Sequence, residues 1–224
     1  MRVICWFKKM LQGLRLVFRS KRALPPEFLN PRSPRYSDGT EEFTDRTEMT
    51  SGSVVFLGDS ITYLANWSKA LPGIKTSNQG VGGDTSRDVL TRLAPIIRAH
   101  PQTIFLRIGI NDLQNNMLPC EYEPIYKKIV EAIRVYSPKT KLYCMSICPI
   151  GKPFENYHYD IQNRIREYNK FIAGVCKKYG VKFLSDYYLL TGADGWLRTE
   201  YYCDGLHLSP EGHQVVFRAI RLLQ

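Results

Sequence analysis

From residue 53 onward the chain alternates between short apolar runs and longer stretches of helical period, and this alternation leaves few folds open. The runs lie at 54–57, 75–78 (the weakest), 103–108, 141–146 and 181–184. Between them, Val89, Leu93 and Ile97 share one helical face, which Pro95 is expected to kink or split. Ile125, Ile129, Ile133 and Tyr136 mark a second helix, expected to open at Pro124 and close before Pro138. A third follows Ile161, Ile165, Tyr168, Ile172, Val175 and Tyr179 and ends at Gly180. The last has Ser209 as N-cap and Pro210 at its first position, ahead of Val215, Val216, Ala219 and Ile220. Strands alternating with helices predict βαβ units, hence an α/β fold with a parallel sheet of about five strands and helices on both faces.

The N-terminal part obeys a different pattern. Residues 1–36 hold nine Lys or Arg against Glu27 alone, whereas the other 188 residues are almost balanced, so most of the net charge of +10 sits in this segment. A nucleic-acid role for the body has no electrostatic support. Val3, Phe7, Met10, Leu11, Leu14 and Phe18 fall at helical spacing among Lys8, Lys9, Arg15 and Arg19, which describes a basic amphipathic helix. Residues 1–22 are therefore candidates for peripheral membrane contact, and docking on the body is an equal alternative. An organelle transit peptide also fits this composition, while Lys8 and Lys9 interrupt the apolar stretch that a secretory signal needs. Residues 37–52 are polar and acidic and read as a linker to the domain at 53–224. No run of eighteen apolar residues exists. The six cysteines contain no Cys-x-x-Cys pair, which argues against a zinc site or disulfide framework and for reduced thiols in a cytoplasmic protein.

Four polar segments carry the chemistry. Gly58-Asp59-Ser60-Ile61 follows the first strand, and Asn78-Gln79-Gly80-Val81-Gly82-Gly83-Asp84-Thr85 follows the second. Gly109-Ile110-Asn111-Asp112 follows the third, and Asp204-Gly205-Leu206-His207 precedes the last helix. Ligands of open parallel sheets bind outside the carboxyl ends of the strands, so three of these segments are expected at one edge with the fourth folded over it. A hydroxyl, an imidazole with a carboxylate three residues away, a glycine-rich turn and an amide are the parts of acyl transfer. Ser60 is the candidate nucleophile, His207 the base that takes its proton, and Asp204 the group that orients the imidazole. Candidate oxyanion donors are the backbone N–H groups of Ser60 and Gly83 and the side-chain amide of Asn111. Thr85-x-x-Asp88 reads as a helix cap beside them.

With those blocks in this order, residues 53 to 222 resemble the GDSL, or SGNH, hydrolase family. The segments Gly-Gly-Asp-Thr, Gly-Ile-Asn-Asp and Asp-Gly-Leu-His-Leu-Ser-Pro-Glu-Gly-His are similar to the branch of platelet-activating-factor acetylhydrolase catalytic subunits. The resemblance implies a three-layer α/β/α sandwich of flavodoxin type and a serine esterase that needs neither metal nor cofactor. The first block departs from the family in having Ile61 where a leucine is usual, an apolar exchange that leaves the chemistry untouched.

Competing motifs fail on single residues. Thr85 stands where a dinucleotide-binding turn needs its third glycine, and Thr62 where the elbow of α/β-hydrolases needs its second. His213 is expected on a helix surface, His100 in a loop, and His158 is a candidate for lining the site. The expected substrate is a short-chain ester, because the loops are brief and hold no apolar segment to roof a long-chain tunnel; O-acetylated carbohydrate and acetylated lipid are equally admissible chemically, and the first is preferred. Two alternatives are a lysophospholipase or thioesterase held at a membrane, and a non-catalytic binding module on the same fold. Oligomeric state is not legible.

Overall fold

The computed structural model describes residues 49–155 and 160–223, and the expectations for the N-terminal segment, Cys5 and His158 lie outside them. The chain runs β1 (Val54–Gly58), α1 (Ser60–Tyr63), α2 (Trp67–Ala70), β2 (Thr76–Gly80), α3 (Ser86–Thr91), α4 (Leu93–Arg98), β3 (Thr103–Arg107) and α5 (Ile110–Gln114). It continues through α6 (Pro119–Tyr136), β4 (Lys141–Met145), α7 (Lys152–Glu155), α8 (Ile161–Tyr179), β5 (Lys182–Leu184), α9 (Tyr187–Leu190), a 3-10 turn (Thr199–Tyr201) and α10 (Pro210–Arg221).

The five strands pair in the order β2-β1-β3-β4-β5, all parallel. Every residue of β1 and β3 is buried, the signature of central strands covered on both faces. On one face, Phe56, Phe105 and Tyr143 lie in register, with ring centroids 5.1 and 4.8 Å apart. Trp67 of α2 stacks on Phe56 at 3.8 Å and meets Phe217 of α10 at 5.6 Å, so these two helices cover that face. On the opposite face, Cys144 lies beside Tyr126 of α6 and Cys176 of α8. The three-layer α/β/α arrangement is the one the sequence predicts.

Pro95 splits the first helical region as expected, whereas Pro124 does not open the second. The split in the first helical region falls at Arg92 (φ −104°, ψ 11°), and Pro95 sits in the first turn of α4, where a missing N–H breaks no helical bond. An unbroken helix would have pressed its ring on the carbonyl of Thr91. Helix α6 starts five residues before Pro124, at Pro119, where the Leu118 N–H donates to the Glu121 carboxylate at 2.8 Å. Pro124 is tolerated inside because it is exposed, leaving water to satisfy the carbonyl that it cannot reach. The remaining helix signals hold: Gly180 ends α8 at φ 63°, and the Ser209 hydroxyl accepts the Gly212 N–H at the start of α10.

The strand register positions the site. Gly58 pairs with both Gly80 and Arg107, so β1, β2 and β3 end level and their following loops emerge side by side. The chain order reverses between β1 and β3, and Ser60 and Asn111 follow these two strands directly.

Candidate active site

Ser60 is the first residue of α1, and Asp59 before it caps the helix by accepting the Ile61 N–H at 3.0 Å. This sharp exit from β1 requires glycine at position 58, because a Cβ there would meet the Arg107 carbonyl at 2.2 Å and the Thr62 hydroxyl at 2.3 Å. The Ser60 hydroxyl lies 3.0 Å from His207 Nε2. On the other side of the ring, His207 Nδ1 is 2.6 Å from Asp204 Oδ2. The 204–207 turn is locked by its own carboxylate: Asp204 Oδ1 accepts the backbone N–H groups of Leu206 and His207 at 2.9 and 2.8 Å. Partial burial pushes the Asp204 carboxyl up, but these hydrogen bonds and the nearby imidazole outweigh it and hold the group below the usual carboxylate range. A negative Asp204 is what a histidine donating through Nδ1 requires, since it leaves Nε2 bare to accept from Ser60.

Gly83 and Asn111 line the same cavity of about 420 Å3 as Ser60 and His207. Gly83 has φ +77°, a conformation that side chains rarely adopt, and it turns the β2–α3 loop around the site. The Asn111 amide is buried and donates to the Asp84 carbonyl at 2.8 Å, which leaves its second N–H for the cavity. At the first helical position, the Ser60 N–H has no acceptor within its own helix. The structure thus gathers Ser60, Gly83, Asn111, Asp204 and His207 at one edge of the sheet.

The supporting contacts come from residues the sequence did not single out for this purpose. Arg92 Nε meets Asp84 at 2.6 Å, and its terminal nitrogen donates to the carbonyls of Gly58 and Gln79, both at 2.9 Å. One guanidinium therefore ties the ends of β1 and β2 to the loop that holds Asn111. Asp112 accepts from the Ser86 N–H at 2.9 Å, the Ser86 hydroxyl and the Tyr168 hydroxyl. It sets the first turn of α3, whose N-cap Thr85 forms with Asp88 the capping box read from the sequence. Below Ser60, buried Arg107 pairs with Asp186 and contacts Cys148. Burial pushes the Asp59 carboxyl up to about 7, although the Ile61 N–H and Arg107 pull the other way.

Histidine 213 is a correction. It is buried in α10 rather than displayed on its surface, because the ring points toward Phe217 (centroids 6.0 Å apart) on the side of α10 that packs on the sheet. Among the described residues, no group of three His, Cys, Asp or Glu is placed to hold a metal ion, and no helix is long and apolar enough to cross a membrane. Cys144, Cys148 and Cys176 are buried free thiols, whereas Cys120 and Cys203 are exposed.

Fold and site together describe a serine hydrolase on a three-layer α/β/α fold, with a serine, a histidine and a carboxylate at the ends of its parallel strands. The model of the GDSL-like lipase/acylhydrolase family matches residues 56–215, and the chain belongs to that family, making it a carboxylic ester hydrolase. It is 24% identical over 177 residues to the platelet-activating factor acetylhydrolase IB subunit alpha1 of Rattus norvegicus, covering 76% of this chain and 74% of the relative. Its fold superimposes on a GDSL-like lipase from Bacteroides thetaiotaomicron with TM-score 0.66 and 23% identity, over 77% of this chain and 87% of the other. An acetylxylan esterase from Geobacillus stearothermophilus gives TM-score 0.60 and 17% identity, over 77% and 94% of the two chains.

Proposed function

We propose that the chain hydrolyses esters of short carboxylic acids through an acyl-enzyme on Ser60. The observation that carries this reading is the continuous line of hydrogen bonds from Ser60 Oγ to His207 to Asp204, with Gly83 and Asn111 lining the same cavity as Ser60 and His207. As Ser60 Oγ attacks the ester carbonyl, His207 Nε2 takes the hydroxyl proton and Asp204 stabilises the imidazolium. The carbonyl oxygen, now negative, turns toward the N–H groups of Ser60, Gly83 and Asn111. Collapse of the tetrahedral species breaks the bond to the alcohol oxygen, which leaves with the proton held on His207. Water, deprotonated by the same imidazole, then attacks the acyl-serine, and Ser60 departs with its proton restored.

The short-acyl preference is supported by the site's volume, about 420 Å3, near the lower end of small-molecule pockets. Of the alcohols such chemistry admits, O-acetylated carbohydrate is one, and the acetylxylan esterase with the same fold is consistent with it. The test is hydrolysis of p-nitrophenyl esters from acetate to palmitate, with Ser60→Ala alongside. Turnover that is greatest on acetate, falls with chain length and vanishes in the variant is expected. Turnover that rises toward palmitate contradicts the short-acyl reading, and turnover that survives in Ser60→Ala contradicts the nucleophile.

A further inference from the structure

His207 and Leu64 line both the cavity that holds Ser60 and a second cavity of about 480 Å3. The buried part of that second lining is Leu208, His213 and Phe217. Two charged residues border it: Lys69 is exposed, and Asp204 is already committed to the His207 ring. Burial, with help from Arg107 and His207, lowers the His213 pKa to about 4, so that imidazole is neutral at physiological pH. Beside the group that moves the proton there is therefore an apolar slot.

The direction of proton transfer decides which half of an ester reaches the slot. The alcohol oxygen collects its proton from His207 Nε2, so it must come within hydrogen-bond reach of that atom. The carbonyl oxygen is held at Gly83 and Asn111, which line the first cavity and not the second. The alcohol arm consequently lies over His207 and Leu64, and the second cavity is the space it enters.

We propose that this cavity is the alcohol subsite and that the chain acts on short-acyl esters of apolar alcohols, with the alkyl or arylalkyl tail laid against Leu208 and Phe217. The inference rests on the reading of Ser60 and His207 above. A carbohydrate fits less well at the buried part of the lining, where Leu208 and Phe217 offer its hydroxyls no hydrogen-bond partner.

Ethyl, butyl and hexyl acetate share one acyl group and have alcohols of nearly equal leaving ability, so differences among them report binding of the alcohol. We expect kcat/KM to rise at least about tenfold from ethyl to hexyl acetate. Gln214 lines the slot from an exposed position on α10, and Gln214→Trp should remove the rise, bringing the hexyl-to-ethyl ratio of kcat/KM close to one. As a measurement on the unaltered protein, 1-hexanol should inhibit ethyl acetate hydrolysis far better than glucose does. A flat ester series, a rise that persists in Gln214→Trp, or acetylated glucose cleaved better than hexyl acetate overturns the subsite. If Ser60 is labelled by a fluorophosphonate, each of those results leaves the nucleophile reading standing. A folded protein whose Ser60 is not labelled overturns that reading, and the subsite with it.

Discussion

The side-chain amide of Asn111 donates one N–H to the backbone carbonyl of Asp84 at 2.8 Å, and that bond leaves the other N–H for the cavity that Asn111 lines with Ser60. A donor fixed before the substrate arrives pays no reorganisation when negative charge develops on the carbonyl oxygen. The carbonyl that fixes it belongs to a residue whose carboxylate is itself clamped by Arg92. Charge stabilisation at the site thus depends on a side chain that lies outside the cavity.

Asn111→Ala removes one of three donors. It should lower kcat by about 10²–10³-fold with little change in KM, because the interaction strengthens only as the tetrahedral species forms. Steady-state kinetics on p-nitrophenyl acetate check this. A variant that loses affinity and keeps kcat would show that Asn111 binds the ground state instead.

Arg92→Ala should cost both stability and rate. The guanidinium is largely buried, and its removal leaves Asp84 charged and the Gly58 and Gln79 carbonyls without their partner. Breaking such a pair is worth roughly 3 kcal/mol in chemical denaturation. Arg92→Lys keeps the charge but cannot serve all three acceptors at once, so it should recover part of the stability and less of kcat. Equal losses in the two variants would mean that only packing is at stake.

Asp59 and His213 predict opposite pH dependences. Burial raises Asp59 from 3.8 to about 7, so the folded state keeps a proton that the unfolded chain releases. Its contribution to stability is complete below pH 3.8 and is lost as pH rises toward 7. Burial lowers His213 from 6.5 to about 4, so its contribution is complete above pH 6.5 and is lost as pH falls toward 4. Across the shared window the two slopes oppose each other. Denaturation of Asp59→Asn should therefore show stability falling as the solution is acidified from pH 6.5 to 4. His213→Gln should show stability falling as pH rises through the same range, and the unaltered protein should vary less than either. Parallel profiles for the two variants would contradict this assignment of the titrating groups.

How much of this was legible in the sequence follows from what kind of signal each residue leaves. The strands show as short apolar runs, β2 the weakest, three long helices (α6, α8 and α10) announce themselves by period, and Ser60, Gly83 and Asn111 by falling just after strands, where the sheet must present them. Arg92 left no such mark, since its partners at 58, 79 and 84 are far apart in sequence and meet only once β1 and β2 lie level. His213 misled because a histidine on a polar-looking helix start is ordinarily exposed. Its burial depends on α10 packing over Trp67 through Phe217, a contact spanning 150 residues. The helix start at Pro119 was hidden by a second proline, Pro124, that carries the same local signal.

Asp204→Ala should leave more activity than Ser60→Ala. The Asp204 side chain is 54% exposed, so water can partly replace it as the acceptor for His207 Nδ1, whereas nothing replaces a covalent nucleophile. Single-turnover rates on a common ester compare the two. An Asp204→Ala enzyme as inert as Ser60→Ala would mean that the histidine has no working orientation without its carboxylate.

The central claim is the covalent intermediate on Ser60, and rapid-quench mass spectrometry of the protein mixed with p-nitrophenyl acetate tests it most directly. The account predicts a transient gain of one acetyl group, mapped to the peptide containing Ser60 and absent from Ser60→Ala. Turnover without any acetylated protein, or with the acetyl group on another residue, would contradict it.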